Sequence, residues 1–362
     1  MLILVAATLA ISIFSLLSMR KVALNYGLVD KPSYRKRHKG DVPFIGGIAL
    51  YITLFCVSLL YPNLIPNRDH YLVCGFILTL IGTLDDKLDI SATARILVLT
   101  TLSVWLVQSK NISISNLGDL FAHGDIIVRH GDTLLTAAAV IGCISAFNMV
   151  DGIDGLLGAL ASVTFGALSY LFYLAGEEQL ASFCLIFVIS LLPYILCNLE
   201  LIPRRSFKVF MGDSGSFLIG FTIIWLLIHS SQTIEGGTSS RVMKPVTALW
   251  IIAIPLMDMA MVMMRRMKKG KSPLKPDRLH LHHICMRLGL SSRQTLLLLF
   301  LLGVFLSTLG ILGQVYNVND SLMLLLFVTI FVGYMLIMKY IWRITSTLRK
   351  YRNSTSKTCQ EI

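Results

Sequence analysis

The chain has 362 residues, of which 55% are hydrophobic and only 14% charged, and its mean hydropathy is +0.73. Soluble domains carry about a quarter of their residues as charged ones, so a water-soluble fold is excluded and lipid must be the solvent for much of the surface. The net charge of +12 would suggest nucleic acid for a soluble protein, but in a membrane chain it has first to be placed relative to the bilayer. The cysteines form no CxxC pair and read as small hydrophobes in a reducing setting rather than as a disulfide frame.

A helical crossing needs about 20 residues. In chain order, apolar runs fall at residues 2–19, 43–61, 71–84, 96–107, 133–147, 157–175, 180–199, 215–230, 245–264, 295–315 and 321–341. They predict an all-α polytopic membrane protein with 11 transmembrane helices and termini on opposite sides. The first run reads as a span rather than a removed leader, because apolar runs continue along the chain. If the N-terminus faces the periplasm, the inside segments are 20–42, 85–95, 148–156, 200–214, 265–294 and the C-terminal tail. Those segments hold 27 of the 32 Lys and Arg residues, counting Lys339 with the tail. The remainder are Arg68, Lys110, Arg129, Arg241 and Lys244. The positive-inside rule therefore puts the C-terminus in the cytoplasm. The expected organisation is one integral-membrane domain over 1–345 with a basic cytoplasmic tail over 346–362.

Three runs, 71–84, 96–107 and 133–147, are short for a crossing. Helices that end inside a water-filled cytoplasmic cavity would explain this. Ser291 and Gln294 have the spacing of a capping box at the start of the tenth span.

The carboxylates carry more information than the cations. Asp85, Asp86 and Asp89 form a DDxxD at the inner end of the third span. On a helix Asp89 would share a face with both others, and adjacent acids repel unless a cation lies between them. Asn148-Met-Val-Asp151-Gly152-Ile-Asp154-Gly155 lies between the fifth and sixth spans. A single Asp-Gly pair is ordinary turn chemistry, but two with an Asn, on the face of the DDxxD, favour a site. Phe210-Met-Gly-Asp213-Ser-Gly-Ser216 opens the eighth span, where a glycine-flanked acid can hold a metal or cap a helix. Phe210 could stack on a base or anchor at the interface.

Asp277-Arg278-Leu-His280-Leu-His282-His283 lies in the long basic loop. Its spacing fits no standard zinc pattern, and among so many cations it reads as a set of phosphate donors, with a solvated loop as the other reading that the spacing leaves open. Lys31 leads the basic run that continues through Arg35, Lys36, Arg37, His38 and Lys39, which anionic lipid alone would explain. Asp258, inside the ninth span, is an expensive intramembrane acid expected to pair with Arg265 or Arg266. One membrane face thus collects acids, an Asn, histidines and cations, the inventory of metal-bridged diphosphate chemistry. A transporter would instead show related halves and midplane sites, and no repeat is evident.

DKPSYRKRH (30–38), DDKLD (85–89), NMVDGIDGL (148–156), FMGDSGS (210–216) and PDRLHLHH (276–283) occur in that order. Together they resemble the polyprenyl-phosphate N-acetylhexosamine-1-phosphate transferases, from about residue 15 to residue 295. The resemblance implies UDP-N-acetylglucosamine and undecaprenyl phosphate as substrates, Mg²⁺ or Mn²⁺ as cofactor and UMP as the leaving product. It implies a bacterial inner-membrane enzyme that starts O-antigen or enterobacterial common antigen synthesis. The lipid bilayer is the expected partner, nucleic acid is not, and a homodimer is one assembly open to it.

By analogy Asp213 and Asn148 would contact the metal and diphosphate, and Asp151, Gly152, Asp154 and Phe210 the uridine side. Asp85 and Asp86 would sit by the lipid phosphate. Lys31, His280, His282 and His283 would lie near the phosphates, with Arg265 and Arg278 as further substrate-binding cations. Of these, Asp85, Asp86, Asp151, Asp154 and the three histidines form the expected catalytic set. The related muramyl-pentapeptide transferases carry three consecutive histidines, where this chain has His280-Leu-His282-His283. That departure points to the branch handling a simple amino sugar.

Overall fold

The computed structural model describes residues 1–31, 40–110, 112–201, 207–232, 241–272 and 280–358. Among them the helices are α1 (Leu2–Tyr26), α2 (Gly46–Leu60), α3 (Arg68–Leu88), α4 (Ala92–Lys110), α5 (Asp132–Val150), α6 (Leu156–Leu174) and α7 (Glu178–Asn198). They continue with α8 (Gly212–Ser231), α9 (Pro245–Ile251), α10 (Ala253–Lys268), α11 (Leu281–Arg287), α12 (Ser292–Val315) and α13 (Asp320–Thr358). The all-α expectation is modified by one small antiparallel ladder, β1 (Val29–Asp30) on β2 (Val42–Pro43), with Val29 opposite Pro43.

Every apolar run falls on a helix, but they do not all look like full crossings. Among the described residues eight helices are long and apolar enough to span a membrane, and α9 with α10 makes a ninth as a bent pair. The chain is therefore a multi-pass membrane protein. Outside that set, α2 has only 15 residues and α3 carries Asp85, Asp86 and Lys87 in its last turn. The three runs that looked short belong to helices of ordinary length. α3 has 21 residues and α4 and α5 have 19 each, because polar flanks extend the apolar stretches.

The ninth run is broken where it was read as continuous. α9 and α10 meet at Ile252 with a bend of 83°. Pro255 is the physical cause: its ring clashes with the carbonyl of the residue four before it, which is Ile251, the last residue of α9. Other ends follow local chemistry. α1 stops at Gly27 in the left-handed conformation (φ 68°). Ser291 accepts from the Gln294 N–H while Gln294 reaches back to the Ser291 N–H, so the capping box forms as read.

α8 is the hub of the bundle and is buried on almost all sides, as expected of a helix apolar all round. α3 and α5 pack along it, and Tyr71 of α3 meets Thr222 of α8 through hydroxyls 2.8 Å apart. α1, α4, α12 and α13 turn most of their surface outward, where lipid replaces a protein core. The hub matters for function because its first turn is at the site.

Candidate active site

The C-terminal ends of α3 and α5 converge on the N-terminal end of α8. There a cavity of about 780 Å³ opens, with Asp86, Asn148, Asp151, Asp154, Phe210 and Asp213 in its wall. Close approach of the backbones makes this possible. A Cβ on Gly82 of α3 would collide with the backbone of Ser214. Gly212 takes φ +72°, which only glycine adopts cheaply, and thereby passes against the Asp86 carboxylate.

The acids divide into distinct roles. Asp86 Oδ1 accepts from the Asp213 N–H at 2.9 Å, so an acid from α3 caps the free amides at the start of α8. Its Oδ2 is buried with no hydrogen-bond partner among the described residues, a state that calls for a proton or a cation. Asn148 Nδ2 donates to Asp213 Oδ1 at 2.6 Å and to Ser216 Oγ at 2.9 Å, which ties α5 to α8. Asp151 caps α5 and faces the cavity. Desolvation of its carboxyl at the cavity, then the negative charges of Asp213 and Asp154, push it up to about 7.

Asp85 and Asp89 depart from expectation. Asp85 is buried beside the cavity rather than in its wall. It accepts from Arg95 Nη1 at 2.7 Å and from the Ile90 N–H at 2.8 Å. Asp89 ends α3 in the left-handed conformation (φ 52°) and is exposed, so it does not share a helical face with the other two. The DDxxD thus supplies one acid to the cavity.

Residues not singled out in the sequence complete the site, Lys208 and Asn198 in the wall and Arg95 behind it. Arg95 links Asp85 to Asp213, whose Oδ2 lies 3.8 Å away. Lys208 Nζ donates to Asp154 Oδ2 at 2.6 Å and lies 5.6 Å from the Phe210 ring centre. Asn198 accepts from the Gly155 N–H at 2.6 Å and donates to the Val209 carbonyl at 2.8 Å, clamping the DGID turn to the loop bearing Phe210. Proximity in sequence could have flagged Lys208, two residues before Phe210. Nothing local marks Arg95 or Asn198, whose partners lie 10 and 43 residues away.

The histidines do not line the cavity. His280 and His282 are buried and His283 half-buried. Burial, reinforced by neighbouring His283, pushes His282 down to about 3. Its ring is therefore neutral, with one N–H donor in place of two. His282 instead stands behind the wall, where a Cβ on Gly152 would run into its ring. Lys31 is exposed at the end of β1 beside Asp30, which does line the cavity. Arg265, in the last turn of α10, is half-buried and not among the lining residues. Arg278, Asp277 and the run Arg35, Lys36, Arg37, His38 and Lys39 lie outside the described residues.

The donor set suits a hard dication. Asp213 and Asp86 offer carboxylate oxygens, one of them an orphan, and Asn148 keeps its amide oxygen as an acceptor. No cluster of three or more His, Cys, Asp and Glu side chains forms a ready metal cage among the described residues. Mg²⁺ needs none, since it binds through one or two carboxylates plus substrate phosphates and retained waters.

Residues 70–231, which include the DDxxD, DGID and GDSGS segments, match the model of glycosyl transferase family 4. The chain is also similar along most of its length to proteins named undecaprenyl-phosphate alpha-N-acetylglucosaminyl 1-phosphate transferase. The relative from Yersinia pestis is 42% identical over 334 residues, 92% of this chain and 90% of that protein. The one from Escherichia coli K12 is 42% identical over 92% of this chain and 89% of its own. The Haemophilus influenzae relative is 41% identical over 343 residues, 95% of each. An apolar helical bundle with this acid-lined cavity at its helix ends is the scaffold of a membrane-bound phosphotransferase. The chain belongs to glycosyl transferase family 4, among its polyprenyl-phosphate N-acetylhexosamine-1-phosphate transferases.

Proposed function

We propose that the protein transfers N-acetylglucosamine-1-phosphate from UDP-N-acetylglucosamine to undecaprenyl phosphate and releases UMP. The product, undecaprenyl-diphospho-N-acetylglucosamine, would open O-antigen or enterobacterial common antigen synthesis. The observation that carries this reading is the 42% identity over 92% of the chain to relatives of that name, a stretch that contains the whole cavity wall. In this reading the chain crosses the inner membrane eleven times with its N-terminus periplasmic. The cavity then opens to the cytoplasm, where the nucleotide sugar is made, and the excess of Lys and Arg in the inside segments supports that orientation.

The transfer is a single displacement. A phosphate monoester is already ionised, so its oxygen needs no strong base to attack the sugar-linked phosphorus. The new P–O bond forms as the bond to the UMP oxygen breaks, and UMP carries the charge away. Mg²⁺, or Mn²⁺ in its place, neutralises diphosphate charge when bound. Asp213 and Asn148 would hold it, with the orphan oxygen of Asp86 turned to the same charge. Lys208 and Asp154 orient the nucleotide beneath Phe210, whose ring offers a stacking face for the base. Arg95, held on Asp85, balances the negative charge gathered at Asp213 and shapes the acceptor side.

Purified protein with undecaprenyl phosphate and Mg²⁺ tests this by UMP release, with UDP-N-acetylglucosamine and UDP-N-acetylmuramoyl-pentapeptide supplied in parallel. Turnover with UDP-N-acetylglucosamine alone is expected. Turnover with the pentapeptide substrate would move the protein to the muramyl branch, and no metal-dependent UMP from either would overturn the reading.

A further inference from the structure

One buried acid plays no part in the chemistry of the cavity. Asp258 lies in α10 and is 2% exposed, in a setting where an ionisable group is costly unless partnered. The sequence suggested Arg265 or Arg266 as partner. In the structure both carboxylate oxygens are taken up by donors from two other elements. His280 Nδ1 lies 2.9 Å from Oδ2. The Leu281 N–H donates to Oδ1 at 2.9 Å, and the Tyr334 hydroxyl of α13 donates to the same oxygen at 3.0 Å.

The geometry of these contacts is that of a clamp. His280 is the N-cap residue of α11 and its side chain makes no cap of its own. The first amide of that helix would be an orphan, and Asp258 satisfies it from outside. Ile284 of α11 packs with Met338 and Ile341 of α13, with Met261 of α10 against them, so apolar contact seats the helix on the same two neighbours. From His280 the chain of contact continues. The rings of His280 and His282 lie nearly parallel (5°) with centres 5.8 Å apart. His282 in turn stands against Gly152 in the cavity wall. A continuous path thus runs from Tyr334 through Asp258, His280 and His282 to the DGID turn.

We propose that Asp258 is the positioning residue of the histidine segment: with Tyr334 it seats α11 so that His282 backs Gly152, and His280 serves that bond rather than the transfer itself. The histidines are then a wall held from behind. Their loss would loosen the DGID turn, and with it the nucleotide side of the cavity, without removing a proton donor or acceptor. The kinetic half of this inference rests on the transferase reading; the structural half does not.

The test uses the full chain in detergent with Asp258→Ala, Tyr334→Phe, His280→Ala and His280→Asn. Asparagine places an N–H donor at the reach of the imidazole Nδ1 and lacks Nε2, so it keeps the clamp while removing any acid–base role. The first readout is maleimide labelling of Cys285, which is buried in α11, resolved by mass spectrometry against buried Cys143 and Cys184. Asp258→Ala and His280→Ala should label Cys285 faster by at least about tenfold, the scale of a lost charge-assisted hydrogen bond, with the reference thiols unchanged. His280→Asn should stay protected. The second readout is turnover, where Asp258→Ala should raise the donor KM more than it lowers kcat, and His280→Asn should recover at least about tenfold of what His280→Ala loses.

Unchanged protection of Cys285 in Asp258→Ala would overturn the clamp. His280→Asn that is protected yet as inactive as His280→Ala would return His280 to the chemistry and overturn it equally. Should Asp258→Ala also expose Cys143 and Cys184, Tyr334→Phe decides by the same labelling, since it removes a single oxygen: faster Cys285 labelling supports the clamp and no change refutes it. Wild-type protein that releases no UMP would sink the transferase reading, while the labelling would still judge the clamp.

Discussion

Gly82→Ala tests whether the cavity depends on the close seating of α8 against α3. Gly82 sits one turn before Asp86, and a Cβ there would strike the Ser214 backbone and lie 2.6 Å from the carbonyl carbon of Asp213. Carbon atoms prefer a separation of ~3.5–4.0 Å, so the first turn of α8 must move out by about 1 Å. No flexible side chain can yield instead, because the obstacle is backbone. Overpacking of this kind costs ~1–3 kcal/mol. The same shift stretches the 2.9 Å bond from the Asp213 N–H to Asp86, and a displacement of about 1 Å at reacting groups costs on the order of 10²-fold in rate. Gly166→Ala on α6 is the internal control, since a Cβ there meets nothing within 4 Å and alanine is the better helix former. The assay is UMP release together with the thermal midpoint in detergent. Gly82→Ala should insert normally, melt earlier and turn over ~100-fold more slowly, while Gly166→Ala matches wild type. Near-normal turnover by Gly82→Ala would refute the argument that this helix contact sets the catalytic geometry.

Asp213→Ala and Asp86→Asn should each abolish metal-dependent UMP release while leaving the protein in the membrane fraction; activity in both would remove the metal assignment. Lys208→Ala should raise the KM for the nucleotide sugar by about tenfold, the cost of one charge-assisted contact, and a KM change confined to the lipid acceptor would place Lys208 on the wrong side of the cavity. Because the Asp151 carboxyl is pushed up to about 7 from an unfolded value near ~3.9, its ionisation in the folded state works against stability as pH rises through that window. In EDTA, Asp151→Asn should therefore melt above wild type at pH 8, and the gap should close as pH falls toward 4. An equal gap at both ends would mean that desolvation and the neighbouring charges do not raise the Asp151 carboxyl.

Much of the site could be read along the chain because it is built from short, contiguous motifs. Asp86, Asn148, Asp151, Asp154, Phe210 and Asp213 all stand in the cavity wall, each drawn from a segment that the sequence marked by its acids and glycines. The placements that the sequence did not show depended on partners. Asp85 and Asp86 are adjacent in sequence, yet a helical residue turns about 100° from its neighbour. One therefore meets Arg95 and the other the start of α8. The histidines looked like phosphate donors from their basic surroundings, but His280 and His282 are turned inward, and no pattern of spacing shows which way a loop folds.

Composition and hydropathy determined that the chain lives in a membrane as a bundle of helices, because apolar runs of crossing length have no other stable solvent. The order and composition of the motifs marked the segments whose acids meet at the cavity. Only the tertiary structure decided the 83° break at Ile252, the burial of α8 at the hub, the recruitment of Arg95, Lys208 and Asn198, and the capture of Asp258 by His280 and Tyr334. The physical reason is the same in each case. Hydropathy is a property of single residues and adds up along a chain, whereas a hydrogen bond or an ion pair needs two groups at one place, and residues as far apart as Asp258 and Tyr334 meet only when the helices between them have packed.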